Sequence, residues 1–151
     1  MVEARRRRQG SKEDRRLDEV EVILSSIRDL DGDSCILVEG LRDREALMAL
    51  GVVGKVSCLQ RGSGSISERL ERMDAKNIVV LMDFDPKGRY LAKLVHRLLA
   101  ARGRMVDITI WRMLKSYIGR DVRDVEGLAS YVLRNSTGVR RNTGGAPSSS
   151  L

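Results

Sequence analysis

Aromatic side chains are scarce. One Trp, one Phe and three Tyr make up 3% of the 151 residues, too few for the rows of rings on which single-stranded bases stack. There is a single histidine, His96, and the two cysteines, Cys35 and Cys58, have no CxxC spacing, so a zinc site lacks its usual ligands. Both cysteines lie in apolar, strand-like segments and read as buried free thiols of a reducing compartment. No apolar run approaches the roughly 20 residues that cross a bilayer, and no apolar core of a signal peptide follows the basic N-terminus. A soluble, cytoplasmic protein with no membrane partner is expected.

What the chain does carry is charge. Lys and Arg number 28 against 21 Asp and Glu, a formal +7, with a pI near 9.9. That balance favours an anionic partner such as nucleic acid over an acidic protein or a neutral metabolite. Arg5–Arg8 and the arginines from Arg112 onward supply much of the excess, whereas the middle of the chain carries acids. With 42% apolar content, 151 residues fill one hydrophobic core and leave no room for a second catalytic domain. Residues 1–12 read as a disordered basic arm, 13–134 as a single domain with its core at 34–111, and the Gly-, Ser- and Thr-rich 135–151 as a disordered tail.

Apolar spacing places the elements. Leu17, Val20, Ile23, Leu24, Ile27 and Leu30 recur at three and four residues, predicting an amphipathic helix over 13–30. The acids of Asp31–Asp33 lack the remaining spacing of a calcium loop and read as a turn. Cys35–Val38 and Lys55–Leu59 read as strands separated by a helix over 42–50, and Ser65 with Glu68 fits a capping box that opens the next helix. Ile78–Met82 has no polar alternation, as expected of a strand buried on both faces of a parallel sheet. A helix over 87–102 follows, with His96 away from its apolar stripe and solvated. Val106–Trp111 alternates like an edge strand, and a last helix is predicted over 123–133. The order implies an α/β three-layer sandwich around a central, mostly parallel four-stranded sheet.

Two of these strands end in acid: Glu39-Gly40 follows one, and Asp83 and Asp85 follow the other, in a turn with Pro86 and Gly88. Asp-Pro with a nearby Gly also makes an ordinary turn, and Asp43 also suits the first turn of a helix. If the two strands are neighbours, however, three carboxylates meet at the carboxyl edge, where such sheets bind ligands. An all-oxygen cluster without a His, Cys or Ser base suits Mg²⁺, which takes carboxylates and water and borrows ligands from phosphate.

VEGLRDREAL at Val38–Leu47, with VVLMDFDPKGRYLAKLVHRLL at Val79–Leu99, resembles the Toprim domain. That domain is shared by DnaG-type primases, type IA and type II topoisomerases, RecR-like repair proteins, OLD-type nucleases and the ribonuclease that matures bacterial 5S ribosomal RNA. The similarity spans roughly 34–111 and implies a Toprim-type, Rossmann-like sandwich. The resemblance also implies Glu39 as the catalytic acid or base and a metal ligand, Asp83 and Asp85 as ligands of Mg²⁺ with Mn²⁺ as a substitute, and Asp43 as an accessory acid. Gly40 and Gly88 are its structural turns. Tyr90, Tyr117 and Tyr131 lie on predicted helices or their approaches, and no separate domain carries a nucleophilic tyrosine, which argues against a topoisomerase. A primase would need a zinc module and a further catalytic region. The small stand-alone form is closest in style to the 5S ribosomal RNA maturase-like branch.

Two expectations follow. The first is a Mg²⁺-dependent nuclease or related phosphodiester-processing enzyme on structured RNA or DNA, RNA slightly favoured, with Arg42, Arg61, Lys87 and Arg89 on the flanking phosphates. The second is a non-catalytic nucleic-acid or ribonucleoprotein binding module that retains the metal site and works with a protein partner. A response-regulator-like receiver also gathers acids at strand ends, but has no place for the Glu39-Gly40 strand.

Overall fold

The computed structural model describes the backbone of residues 2–148 and the side chains of residues 12–136. Four short strands, β1 (Ser34–Val38), β2 (Lys55–Cys58), β3 (Asn77–Leu81) and β4 (Met105–Asp107), form one sheet in the order β2-β1-β3-β4. Every pairing is parallel, with Val38 opposite Cys58 on one side and Leu81 on the other. The sheet is thus all-parallel where the sequence implied mostly parallel. All five residues of β1 are buried, as are Ile78–Leu81 of β3, the result of placing unalternated apolar runs in the two central positions.

The helices are α1 (Val2–Arg28), α2 (Leu41–Ala49), α3 (Ile66–Glu71), α4 (Pro86–Ala101), α5 (Thr109–Ile118) and α6 (Val125–Ser148). From β1 the chain crosses through α2 to β2, then returns past β1 through α3 to β3 and continues through α4 to β4. Right-handed connections put α2 on one face and α3 and α4 on the other. The packing agrees: α3 meets α4, whereas α2 meets α6 and α1 meets both α5 and α6. The result is a Rossmann-like three-layer sandwich, its core running from Leu24 and Ile27 of α1 through the sheet to Val95 and Leu99 of α4. No described helix is long and apolar enough to cross a membrane.

Local chemistry sets the boundaries. Ser65 caps α3 by accepting the Glu68 N–H at 3.2 Å, and Asp31 closes the turn before β1 by accepting from Asp33 N–H and Ser34 Oγ. Cys35 and Cys58 are free, and His96 is exposed.

One expected element differs. The alternating Val106–Trp111 is a strand only as far as Asp107, whose carboxylate accepts the Thr109 N–H at 2.7 Å and turns the chain into α5. The buried Ile110, Trp111, Leu114 and Ile118 are the helical stripe that overrides the short alternation. The expected arm at 1–12 and tail at 135–151 fall mainly on side chains outside the described residues, while the helical backbone of α1 begins at Val2 and that of α6 runs to Ser148.

Candidate functional site

Glu39 directly follows β1 and Asp83 lies two residues beyond β3. Because β1 and β3 pair directly, both carboxylates arrive at the same edge, at the point where the strand order reverses. Glu39 is only 5% exposed, and its Oε1 and the Oδ1 of Asp83 are buried without any hydrogen-bond partner. Burial pushes the Asp83 carboxyl up to about 7, reinforced first by the neighbouring Glu39 carboxyl and then by the charges of Asp124 and Asp85. Each carboxyl thus keeps one buried oxygen with no donor to offset its charge when it ionises.

A second ring of acids surrounds this pair. Asp43, in the first turn of α2, accepts the Gly40 N–H at 3.2 Å. Burial, followed by the charge of Asp83, raises its carboxyl to about 6 against the lowering effect of that bond. Asp85 caps α4, its Oδ1 accepting the Gly88 N–H at 2.7 Å, and Asp124 caps α6 by accepting from Gly127 N–H at 2.6 Å. None of these five acids has an ion-pair partner among the described residues.

The turn that bears Asp83 is held from three sides. Trp111 Nε1 donates to the Asp83 carbonyl at 3.3 Å, Phe84 N–H donates to the Arg123 carbonyl at 2.6 Å, and Gly88 packs so closely that a Cβ there would lie 2.0 Å from the Asp83 carbonyl oxygen. Gly40 is less constrained, since its Cβ would meet only the mobile end of Gln60, at 2.9 Å.

Among the described residues, no three His, Cys, Asp or Glu side chains close around one point. The inner pair is therefore Glu39 and Asp83, with one oxygen of Asp85 committed to its cap. That set suits a cation satisfied by one or two carboxylates with water and phosphate, as Mg²⁺ is, and not one that requires a full protein cage, as Ca²⁺ does. The two orphaned oxygens are the direct sign of the fit, since buried acceptors without donors are costly unless a cation meets them. Arg42 lies exposed in the first turn of α2, Arg61 in the loop after β2, and Lys87 and Arg89 in the first turn of α4. These four cations belong to segments that leave the same edge of the sheet.

No family model matches the chain. A UPF0292 protein of Thermococcus kodakarensis is 36% identical over 113 residues, which cover 74% of this chain and 82% of that protein. The chain belongs to the UPF0292 family. A UPF0292 relative from Methanocaldococcus jannaschii is 38% identical over 98 residues, 64% of this chain and 77% of its own. A solved structure of an Aquifex aeolicus protein superposes with a TM-score of 0.59 at 21% identity, covering 70% of this chain and 94% of that one, a likeness of fold alone.

Two residues of this UPF0292 site were not singled out by sequence reasoning. Asp124 sits three residues before Gly127, a spacing that reads as a helix cap, and Trp111 ends the alternating run Val106–Trp111, which reads as a strand. Trp111→Phe keeps a buried ring but leaves the Asp83 carbonyl without its donor. A loss of about 1 kcal/mol in urea unfolding is expected, and an unchanged midpoint would show that this clamp contributes nothing.

Proposed function

We propose that this UPF0292 protein is a Mg²⁺-dependent phosphodiester-processing enzyme of the Toprim type, acting in the cytoplasm as a nuclease on structured nucleic acid, RNA slightly favoured over DNA. The observation that carries the reading is the pair of buried, partnerless oxygens, Glu39 Oε1 and Asp83 Oδ1, on adjacent strands at the switch point of a parallel sheet.

Glu39 and Asp83 would hold the ion, with Asp85, which caps α4 through one oxygen, and with Asp43 and Asp124 as the acids around them. A bound Mg²⁺, or Mn²⁺ in its place, supplies Lewis acidity at a phosphate and makes water more acidic. Glu39 is the proton-transfer group: its buried carboxylate lacks competing donors, so it takes a proton from the attacking oxygen or returns one to the leaving oxygen. Arg42, Arg61, Lys87 and Arg89 position flanking phosphates without reading sequence. The clamp on the Asp83 turn keeps that carboxylate from swinging away from Glu39.

The test is cleavage of a structured RNA and of duplex DNA by the full chain, with Mg²⁺ and with chelator. Wild type is expected to cut only with the ion, and Glu39→Gln and Asp83→Asn each to lower the rate at least ~10²-fold. Cleavage that survives both substitutions sinks the site. Tight binding by wild type with no cleavage sinks the enzyme reading and leaves a binding module.

A further inference from the structure

Between α4 and α5 lies a cavity of about 570 Å³ whose lining includes five cationic side chains, Arg89, Lys93, Arg112, Lys115 and Arg120, and no acid. The volume is that of an ordinary ligand pocket, ~300–1,000 Å³. Its wall includes Trp111, the residue whose indole N–H holds the Asp83 carbonyl. Arg89 is one helical turn from the Asp85 cap, its N–H bonded to the Asp85 carbonyl at 3.0 Å. The basic cavity and the acidic pair thus share a wall.

The crowding has no internal explanation. None of the five cations makes a side-chain hydrogen bond or an ion pair among the described residues. The one partial relief is Lys115, whose Nζ lies 5.2 Å from the centre of the Trp111 ring. Desolvation, followed by the charges of Arg89 and Lys93, lowers the Lys115 ammonium below its ordinary range. Like charges gathered in one concavity, without structural counter-ions, oppose folding and are relieved by a polyanion.

We infer that the cavity between α4 and α5 is a strand-binding subsite that holds successive backbone phosphates of the nucleic acid presented to the Glu39–Asp83 pair. The inference rests on the reading of that pair as a phosphodiester site. Five separate donors around one open pocket match a run of phosphates better than a single anion. Trp111 is mostly buried beneath Lys115, which favours backbone contact over base stacking at this point. Binding here is therefore insensitive to sequence and sensitive to salt.

The experiment measures binding of a fluorescein-labelled single-stranded oligonucleotide in chelator, so that no ion bridges the acids. It compares wild type, Lys93→Ala/Arg112→Ala, and a control, Lys55→Ala/Lys76→Ala, whose two cations lie at the amino ends of β2 and β3. The pocket pair is expected to weaken binding roughly tenfold or more and to reduce the salt slope by about 1.4, or ~0.7 for each phosphate contact removed on a single strand. The control is expected to change neither. Equal losses in both variants would show general basicity and overturn the subsite, as would an unchanged pocket pair. Displacement of the strand by polyglutamate as effective as by unlabelled strand at equal charge would overturn the phosphate assignment, as would binding of a nucleoside triphosphate with none of the strand. Stabilisation by Mn²⁺, followed by thermal unfolding, reports the acidic pair separately. The pocket variant should retain it, so a failed subsite is distinguishable from a failed metal site.

Discussion

Gly88→Ala is expected to lower the melting temperature by about 6–12 °C and to abolish stabilisation by divalent cations. The added Cβ would lie 2.0 Å from the Asp83 carbonyl oxygen, 2.6 Å from its carbon and 2.9 Å from the Asp83 nitrogen. All three are backbone atoms, so no side-chain tip can swing aside. The carbonyl is also bonded to Trp111, and Gly88 N–H to the Asp85 carboxylate, so the strain can be relieved only by moving the first turn of α4 or the peptide that carries the site. Overpacking of this kind costs about 3 kcal/mol, and a domain of this size loses roughly 2–4 °C for each kcal/mol. Gly40→Ala provides the contrast: Gln60 can rotate away, and a much smaller shift is expected. Thermal unfolding with and without Mn²⁺ decides the matter, and a Gly88→Ala protein as stable as wild type would refute the close packing.

Metal-free protein should lose stability as pH rises from about 4 to 7, and regain it on addition of Mg²⁺ or Mn²⁺. Asp83 titrates near 7 and Asp43 near 6 in the folded chain, both above the ~3.9 of an unfolded aspartate. Across that window the folded state binds more protons than the unfolded state, so stability falls with rising pH, and the penalty is complete above pH 7. Both groups are partly screened by solvent, which brings the combined penalty to about 2 kcal/mol, below what the raw shifts would give. A cation binds the ionised pair and not the protonated one, so its effect should be larger at pH 8 than at pH 5.5. A concentration one hundred times the dissociation constant adds about 2.7 kcal/mol. Asp83→Asn removes the Asp83 share of the penalty together with the ligand, leaving the share that burial imposes on Asp43: at pH 8 without metal it should be at least as stable as wild type, and it should not respond to the ion. A full cation response in Asp83→Asn would place the site elsewhere.

The strands and their acids were legible because burial on both faces leaves a plain trace. Ile78–Met82 and Cys35–Val38 have no polar alternation, and each leads straight into a carboxylate. Whether Glu39 and Asp83 meet depends on strand order, which is a property of the crossovers and not of either segment. Asp124 reaches the site because α6 packs beside α2, a long-range contact with no local signature. The end of β4 was hidden because two alternating residues look the same before a turn as within a strand, and the bond from Thr109 N–H to Asp107 decides between them. Asp85 carried a readable cue: an aspartate followed by proline and, three residues on, by a glycine N–H is a helix cap, whatever else its second oxygen does.

The two central strands carry one further consequence. Glu39 and Asp83 are joined through the β1–β3 pairing, the innermost hydrogen bonds of the sheet, while β2 and β4 at the edges bear neither. Fraying of an edge strand leaves the paired strands that deliver the two carboxylates intact, so the part of the site open to local loosening is the Asp83 turn, which lies beyond β3 and depends on the first turn of α4 and on Trp111. Glu39 is thus fixed by the centre of the sheet, whereas Asp83 is fixed by its clamp, and a variant that loosens the clamp should part the pair without opening the domain.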